Sequence, residues 1–380
     1  MTAETHTAAS APGGALAAVG PALDRLLDAV AAPVTCRRPW LEAWLACYAD
    51  FEPLVVAVGE ADRLTAAAVL AARRGPWRTD VVAAGDGPSD RIVLAALDEN
   101  AAEELAARIA AALARLRRPW TLSVSQLPVG DAAAASLARR LHPAELRPAV
   151  AAPVLELGEA RTLDAYASRS YRQTLRTSRN RIEREGVDAA VATATAPGEV
   201  AALVRESEQV RLARDRAERR PSTLRDPRQR AFRRAVLERL AREGAVELTT
   251  LRLEGRLAAY AVVLLDGPVR RLWDTAFEPR FARFGPGHLV LERVLRDALA
   301  DDACSALDFM RGLDAYKLRL ATGVVESATL TAWSSSRTRA LAHLAAGWRS
   351  PAYYRWLARW TAARARALTG RRRAGSRRRS

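Results

Sequence analysis

Three strand-like segments that follow one another with two-residue connections constrain the fold of this chain more than any other feature. VELTTLRL ends at Leu253, RLAAYAVVLLD covers 256–266, and VRRLWDTAF covers 269–277. Each segment is rich in apolar, β-branched or aromatic residues and is bounded by a turn, which is the pattern of a β-strand. Since a two-residue connection joins antiparallel neighbours, these segments predict an antiparallel sheet.

Helices and further strands are predicted around this sheet in a fixed order. Before it come the strand VDAAVAT (187–193), a helix from Pro197 to about Arg219, a loop at 221–227, and a helix that ends at Arg242. After it come the loop EPRFARFGPG, the helix HLVLERVLRDALA (288–300), the strand SALDFM (305–310), a short helix near 314–320, and the strand ESATLTAW (326–333). This order predicts an α/β unit whose mixed, mostly antiparallel sheet is flanked by helices.

The residues before 158 alternate between helix and strand in a similar way. A first helix is predicted where Trp40, Trp44 and Tyr48 recur at helical spacing. The segments that follow are LVVAVG (54–59), TAAAVLAA (65–72), DVVAA (80–84), a helix at 98–116, TLSVSQL (121–127) and APVLELG (152–158). Because 380 residues suffice for two domains, we divide the chain into a flexible leader (1–34), an N-terminal unit (35–158), a C-terminal unit (159–335) and a basic C-terminal segment (336–380).

The positive charge of the chain lies mainly at its C-terminal end. The formal net charge is +16, but no Asp or Glu follows Glu326, while arginines continue to Arg379. Residues 336–368 predict one or two basic aromatic helices, and RRRAGSRRRS predicts a disordered end. Packing of the helices on the body of the protein, contact with an anionic membrane surface and contact with RNA all stay open as interpretations.

Cysteine and histidine spacing predicts neither a disulfide framework nor a metal site. Cys36, Cys47 and Cys304 are odd in number and have no C-x-x-C spacing, and the four histidines are scattered.

The N-terminus lacks the basic start of a secretory signal, and no run of 18 apolar residues occurs. We therefore expect a cytoplasmic protein, with a peripheral position at the inner membrane surface as an option.

Five stretches carry a resemblance to a known family, and they are spread over about 40–345. They are the helix start at Trp40 and Trp44, LRTSRNRIEREG (175–186), the Glu254-Gly255 hairpin with its apolar second strand, FARFGPGHLVLERVL (281–295), and LDFMRGLDAYKLRLATG (307–323). In this order they resemble the GNAT superfamily of acyltransferases, in particular its Fem-like and CelD-like branch. The resemblance implies two GNAT-like units in tandem, the first one degenerate, and transfer of an acyl group from acyl-coenzyme A, most simply acetyl-coenzyme A, to an amine.

The segment ARFGPGH predicts an anion site at the start of a helix. The amides of Gly285, Gly287 and His288 can point at an anion where the helix dipole adds a favourable field, and Arg283 can pair with a phosphate. In GNAT enzymes the equivalent loop holds the pyrophosphate of coenzyme A, so the resemblance makes Arg283, Phe284, Gly285, Gly287 and His288 the cofactor-binding candidates. Pro286 removes one N–H from this cradle. A plain strand-to-helix turn, with glycine supplying a positive φ, is the alternative.

The segment LDFMRGLDAYK places four candidates at and after a strand end, where ligands collect in open sheets. Tyr316 resembles the GNAT tyrosine that protonates the leaving thiolate, which suits a phenol with a pKa near that of the thiol. Lys317, the chain's single lysine, is predicted to hold a phosphate or carboxylate, or to pair with Asp308. Asp308 and Arg311 are substrate-binding candidates, and a purely structural ion cluster of Asp308, Arg311 and Lys317 stays open.

Two further groups are candidates for the acceptor side. Asp274 is predicted to orient or deprotonate the amine, because a carboxylate half-buried beside Trp273 would have a raised pKa. Trp273 itself is a substrate-binding candidate. Arg172 and Arg176 form an arginine stripe on a predicted helix that could hold a phosphate or an acidic acceptor. The alternatives are a merely solvated aspartate and a solvated amphipathic helix.

Two other functions remain open beside acyl transfer from coenzyme A. One is Fem-type aminoacyl transfer from charged tRNA, which the basic tail favours, although no sustained heptad predicts the coiled-coil arm of such enzymes. The other is an inactive accessory protein of cell-envelope or polysaccharide assembly. The acceptor could be an amino sugar, a peptide, a polyamine or a lipid amine.

Overall fold

The computed structural model describes residues 14–349, with side chains described for 16–344. The helices are α1 (Gly14–Ala29), α2 (Arg38–Cys47), α3 (Glu99–Ala114), α4 (Ala132–Arg140), α5 (Leu163–Tyr166), α6 (Arg169–Arg184), α7 (Pro197–Ala217), α8 (Pro227–Arg242), α9 (Pro286–Ala300), α10 (Ala315–Leu320) and α11 (Ser336–Arg349). The strands are β1 (Glu52–Gly59), β2 (Leu64–Arg74), β3 (Thr79–Ala83), β4 (Ala95–Ala96), β5 (Trp120–Pro128), β6 (Ala144–Pro148), β7 (Ala152–Glu156), β8 (Ala189–Ala194), β9 (Val246–Leu253), β10 (Arg256–Asp266), β11 (Val269–Phe277), β12 (Ala306–Asp308), β13 (Gly323–Val325) and β14 (Ser327–Trp333).

Within the described residues, the strands form two seven-stranded sheets. The first has the order β1-β2-β3-β5-β14-β6 with β4 beside β2, and the second has the order β13-β7-β12-β11-β10-β9-β8. The predicted meander is confirmed as β9, β10 and β11, which pair antiparallel in the second sheet. Both sheets are mixed and flanked by helices, so the predicted fold class is also confirmed.

The two sheets repeat one arrangement of strands. In each, a strand of an antiparallel group pairs in parallel with a strand that lies beyond a long helix. These parallel pairs are β3 with β5, separated in sequence by α3, and β11 with β12, separated by α9. The chain is therefore a tandem of two related units.

Each unit contributes one strand to the sheet of the other, and this corrects the predicted boundaries. β7, assigned above to the N-terminal unit, lies between β12 and β13 in the second sheet. β14, assigned to the C-terminal unit, lies between β5 and β6 in the first sheet. The division between 158 and 159 is wrong at these two strands, because strand partners are chosen by contacts that are distant in sequence.

The predicted flexible leader is wrong for residues 14–34. They include α1, which packs on β1 and β2 and buries Leu16, Leu23 and Leu26. Residues 1–13 lie outside the described part of the chain. The predicted C-terminal helix begins with α11, but the aromatic and arginine-rich residues after 349 also lie outside it.

A shared hydrophobic core fixes the two units against each other. The Trp40 ring of α2 packs edge-on against Phe232 of α8 and Trp273 of β11, with ring centroids 5.2 Å and 5.3 Å away. In the N-terminal unit, the loop after β3 is held by α2, since the indoles of Trp40 and Trp44 donate to Ser89 Oγ and to the Asp86 carbonyl. None of the described helices has the length and hydropathy needed to cross a membrane.

Candidate active site

A cleft of about 730 Å³ opens where β11 separates from β12. The two strands pair only from Val269 to Arg271, because β12 ends at Asp308. Residues 272–277 of β11 continue along the cleft, and among the described strands none pairs with them on this side. The other walls are the start of α9, the 311–317 segment, α7 and α8, and the 87–90 loop of the N-terminal unit.

A β-bulge lies in the middle of this free edge. Val262 of β10 pairs with Asp274, but the next residue, Val263, pairs with Leu272, so Trp273 is the extra residue. A bulge interrupts the regular ladder and re-aims neighbouring groups. The Trp273 indole donates to the Pro88 carbonyl at 3.1 Å, which ties the predicted substrate-binding tryptophan to the N-terminal unit.

Asp274 lies at the cleft, but its surroundings are the opposite of those predicted. Its side chain is only 12% exposed and pairs with the guanidiniums of Arg211 and Arg233, the latter at 2.6 Å. The Tyr260 hydroxyl also donates to it at 2.7 Å. Burial raises the pKa of Asp274, but Arg233 and Arg211 outweigh it, so the pKa is lowered. The predicted rise in pKa is wrong, and a carboxylate so fully paired is a poor base.

Four arginines of the α7–α8 wall were missed by sequence reasoning. Arg211 and Arg233 hold Asp274, while Arg214 lies 3.8 Å over the Phe277 ring and pairs with Glu218. Arg220 pairs with Asp215 and with Glu218, at 2.6 Å and 3.1 Å. In a chain with 59 Lys and Arg residues, no local pattern marks these four, and only the fold brings them to the cleft.

Lys317 is nearly buried, and its ammonium holds the loop that precedes α10. Its Nζ donates to the Arg311 carbonyl at 2.8 Å and to the Met310 carbonyl at 3.3 Å, and lies 3.8 Å from Asp314. Burial lowers the pKa of Lys317, and the negative charge of Asp314 partly opposes this. The predicted pair with Asp308 is wrong; Lys317 fixes the backbone of a cleft wall.

Arg311 joins this loop to the N-terminal unit. Its Nε lies 2.6 Å from Asp90 Oδ1, and its Nη2 donates to the Gly87 carbonyl at 2.5 Å. The partner segment GDGPSD was not singled out from the sequence. Its glycines and proline indicate only a loop, so nothing local could have placed it at the site.

Asp308 lies below the cleft and does not line it. It is buried, and its Oδ2 accepts from Arg91 of the N-terminal unit at 2.9 Å and from Arg271 of β11 at 2.8 Å. The Met310 amide donates to its other oxygen at 2.8 Å. Asp308 is therefore the centre of a structural ion cluster, which was the alternative interpretation, but its partners are Arg91 and Arg271.

Tyr316 lies in the cleft wall, half-buried, and no described residue hydrogen-bonds its hydroxyl. Burial, and then the negative charge of Asp314, raise its pKa above the ordinary value. This differs from the predicted match with a thiol pKa. The phenol therefore stays protonated at neutral pH and keeps a proton to donate.

The start of α9 borders the cleft through Gly285, Gly287 and His288. Two of the three predicted amides already have acceptors, since Gly285 donates to Ala282 and His288 to Gly285. Gly285 has φ +61°, and a Cβ there would lie 2.4 Å from Ser178 Oγ of α6, so its glycine is needed for packing. The His288 ring lies edge-on to Tyr171, and burial lowers its pKa.

Four of the predicted binding residues lie away from the cleft. Phe284 is buried in the core of the C-terminal unit, and Arg283 pairs with Glu185 at 2.9 Å. Arg172 pairs with Asp164 at 3.0 Å, and Arg176 is exposed on α6. Because none of them lines the cleft, the structure does not bring them together with Tyr316 and Asp274.

Comparison with known proteins gives a domain match for part of the chain and a similar fold. Residues 169–318 match the acetyltransferase (GNAT) domain family, while the search of curated proteins gives no match. The crystal structure of FemX is similar with a TM-score of 0.57 at 11% identity, covering 81% of this chain and 95% of FemX.

Two further structures share the fold at low identity. One is the C-terminal domain of a protein described as a lysylphosphatidylglycerol synthetase from Agrobacterium fabrum, with a TM-score of 0.52, 12% identity, and coverage of 87% of this chain and 95% of that one. The other is a protein of unknown function from Bacteroides thetaiotaomicron, with a TM-score of 0.51, 10% identity, and coverage of 81% and 96%. Residues 169–318 therefore match the GNAT acetyltransferase domain family, and the two-unit fold of the chain is similar to that of FemX.

Proposed function

We propose that this protein transfers an acyl group from an acyl-coenzyme A thioester, most simply acetyl-coenzyme A, to an amine. One observation carries the proposal: the free edge of β11 at 272–277 lies in the same cleft as the Tyr316 phenol and the first turn of α9. A thioester bound along this edge can accept hydrogen bonds from strand N–H groups, with its phosphates toward Gly287 and His288.

Direct attack then needs no covalent enzyme intermediate. The amine nitrogen forms a bond to the thioester carbon, strand N–H groups stabilise the oxyanion, and the C–S bond breaks as Tyr316 donates its proton to the sulfur. Arg211 and Arg233 keep Asp274 ionised and fixed beneath the bulge at Trp273. That network supports the reacting edge and takes no proton.

The test combines binding and turnover. We expect isothermal titration to detect acetyl-coenzyme A, and thiol release to follow when a panel of amines is added. Tyr316→Phe should lower kcat by about 100-fold, within the range for loss of a general acid, with the Kd for acetyl-coenzyme A unchanged. Tyr48→Phe is the matched control, because the Tyr48 hydroxyl is buried, has no hydrogen-bond partner among the described residues and lies outside the cleft. Unchanged turnover in Tyr316→Phe would remove the acid role.

Aminoacyl transfer from charged tRNA is the second candidate, and the start of α9 favours it. Pro286 has no N–H, two of the three predicted amides are already bonded, and Arg283 pairs away from the cleft, so the cradle for a pyrophosphate is weaker than predicted. This candidate would be selected if the protein transferred an aminoacyl group from charged tRNA but neither bound nor used acyl-coenzyme A. If neither donor were used, an inactive accessory protein would be the better description.

The cellular setting belongs to the same proposal. We infer that the protein acts in the cytoplasm. Its basic C-terminal segment, most of it outside the described residues, is the part suited to contact an anionic membrane surface or RNA.

A further inference from the structure

An amine that attacks a thioester must lose a proton, and Asp274 is not free to take it. We propose that Asp314 is the catalytic carboxylate that receives the acceptor's amine and accepts this proton. The inference rests on the proposed acyl transfer and adds to it the group on the acceptor side of the reaction.

The other carboxylates that line the cleft are each held by arginine. Asp90 pairs with Arg311 at 2.6 Å, and Asp274 with Arg211 and Arg233. Glu218 pairs with Arg214 and with Arg220, the latter at 3.1 Å. A carboxylate paired with a guanidinium has little capacity left to hold an ammonium or to accept its proton.

Asp314 differs from these three in its partners. Its side chain is 63% exposed, and its closest cation is Lys317 at 3.8 Å, which is beyond hydrogen-bond distance. The Lys317 ammonium instead donates to the carbonyls of Met310 and Arg311. Asp314 is the N-cap residue of α10, but its side chain makes no capping hydrogen bond. Both of its oxygens therefore remain available to an acceptor in the cleft.

The position of Asp314 also suits the reaction. It lies two residues before Tyr316 at the start of α10, and both residues line the same cleft. The negative charge of Asp314 contributes to the raised pKa of Tyr316, in keeping with a short separation. The pKa of Tyr316 is also influenced by charges in the other walls of the cleft, those of Arg211, Arg214 and Asp274. The pKa of the adjacent Lys317 is influenced by the charges of Asp90 and Arg311. Asp314 and Tyr316 therefore both lie at the N-terminal end of α10.

The chemistry of the step fixes when the proton moves. A carboxylate is too weak a base to deprotonate a free alkylammonium efficiently, but it can bind the ammonium by charge. After the neutral amine attacks, the nitrogen of the adduct is positively charged and far more acidic. Asp314 then takes the N–H proton, directly or through water, while Tyr316 gives its proton to the departing sulfur. The products are an amide and a thiol, and return of one proton from Asp314 to Tyr316 through solvent restores both groups.

The test compares Asp314→Asn, Asp314→Glu and the control Asp302→Asn in the full chain. Asp302 is exposed and lies outside the cleft. For the best amine of the panel, Asp314→Asn should lower kcat/KM by about 100-fold, with an unchanged Kd for acetyl-coenzyme A and an unchanged Tm. Asp314→Glu keeps a carboxylate and should recover part of the rate, and Asp302→Asn should match the wild type.

The outcomes separate this inference from the proposed function. Equal kcat and KM in wild type and Asp314→Asn would overturn the role of Asp314 and leave acyl transfer intact. An Asp314→Glu variant as slow as Asp314→Asn, at an unchanged Tm, would also count against a proton-accepting role. A wild-type protein that releases no thiol with any amine would overturn the proposed function, and the assignment of Asp314 would fall with it.

Discussion

At the scale of single residues, the neighbours of a charged group decide what it can do. Asp274 has the residue type of a base and lies at the cleft, yet Arg211, Arg233 and Tyr260 occupy its oxygens. Asp314 has the same side chain and no guanidinium partner among the described residues. The difference in ion pairing, and not the residue type, therefore assigns one aspartate to structure and the other to the proposed chemistry.

At position 317 we expect both the shape and the charge of the side chain to matter. Its ammonium fits between two carbonyls, and the residue is 7% exposed. In Lys317→Arg the larger, planar guanidinium overfills this space, so we expect a loss of about 1–3 kcal/mol in the free energy of unfolding. The displaced loop carries Arg311 and Asp314, so kcat/KM should fall as well. Urea denaturation and amine kinetics measure the two effects, and a fully stable, fully active Lys317→Arg would show that positive charge alone is needed.

The pH dependence of stability follows from the same burial. Because the folded-state pKa of Lys317 lies below its ordinary value, the unfolded chain binds more protons between the two values, and stability contributed by this group rises with pH in that window. Lys317→Met has no group to titrate there. The free energy of unfolding of the wild type relative to Lys317→Met should therefore increase as the pH rises toward about 10.4, and a flat difference would contradict the lowered pKa.

At the scale of elements, the junction between the β11–α9 loop and α6 depends on one glycine. Gly285 has φ +61°, and an added Cβ would lie 2.4 Å from Ser178 Oγ but an ordinary 3.5 Å from Ser178 Cβ. Gly255 is the matched control, with φ +68° and nothing within 4 Å of an added Cβ. Gly255→Ala should lower the free energy of unfolding by only about 1–2 kcal/mol, because alanine is strained in a left-handed backbone conformation.

Gly285→Ala should lower the free energy of unfolding by more than Gly255→Ala, because Ser178 of α6 must also move away from the added Cβ. Adding Ser178→Ala should reduce the loss to that of Gly255→Ala, since the close contact is then removed. Thermal and urea denaturation of the three variants measures these differences, and acetyl-coenzyme A titration shows whether the donor site moves with the loop. A Gly285→Ala variant no less stable than Gly255→Ala would contradict this account of the junction.

The elements themselves were largely predictable, but their partners were not. The meander of β9, β10 and β11 follows from turn residues and apolar runs, and α9 from its periodicity, because these signals are local. α1 was missed because its Ala, Gly and Pro content is typical of a loose segment, while its leucines become informative only against β1 and β2. Tyr316 and His288 were placed at the cleft through family resemblance. Arg211 and Arg233 reach Asp274 from 63 and 41 residues away, and no local pattern records such distances.

At the scale of the whole molecule, the N-terminal unit is part of the site. It supplies the 87–90 loop to the cleft wall, a backbone acceptor to Trp273 and a carboxylate to Arg311. In its own parallel pair, the loop after β3 packs on Trp40 and Trp44. The first unit therefore contributes part of the cleft wall, and the degenerate character that the family resemblance implies for it stays a prediction.

The exchanged strands and the ion cluster at Asp308 make the two units one folding unit. Since the second sheet lacks β7 without the N-terminal unit, a fragment of residues 159–335 should not fold, and calorimetry of the full chain should show one cooperative transition. Asp308 is 2% exposed and pairs with Arg91 of the N-terminal unit and with Arg271 of β11. Asp308→Asn leaves the part-buried Arg91 guanidinium without its carboxylate, while Arg271 keeps Asp266 at 2.6 Å, so we expect a loss of about 3–5 kcal/mol in the free energy of unfolding, still in one transition. Two separate transitions, or a folded 159–335 fragment by circular dichroism, would show that the units are independent.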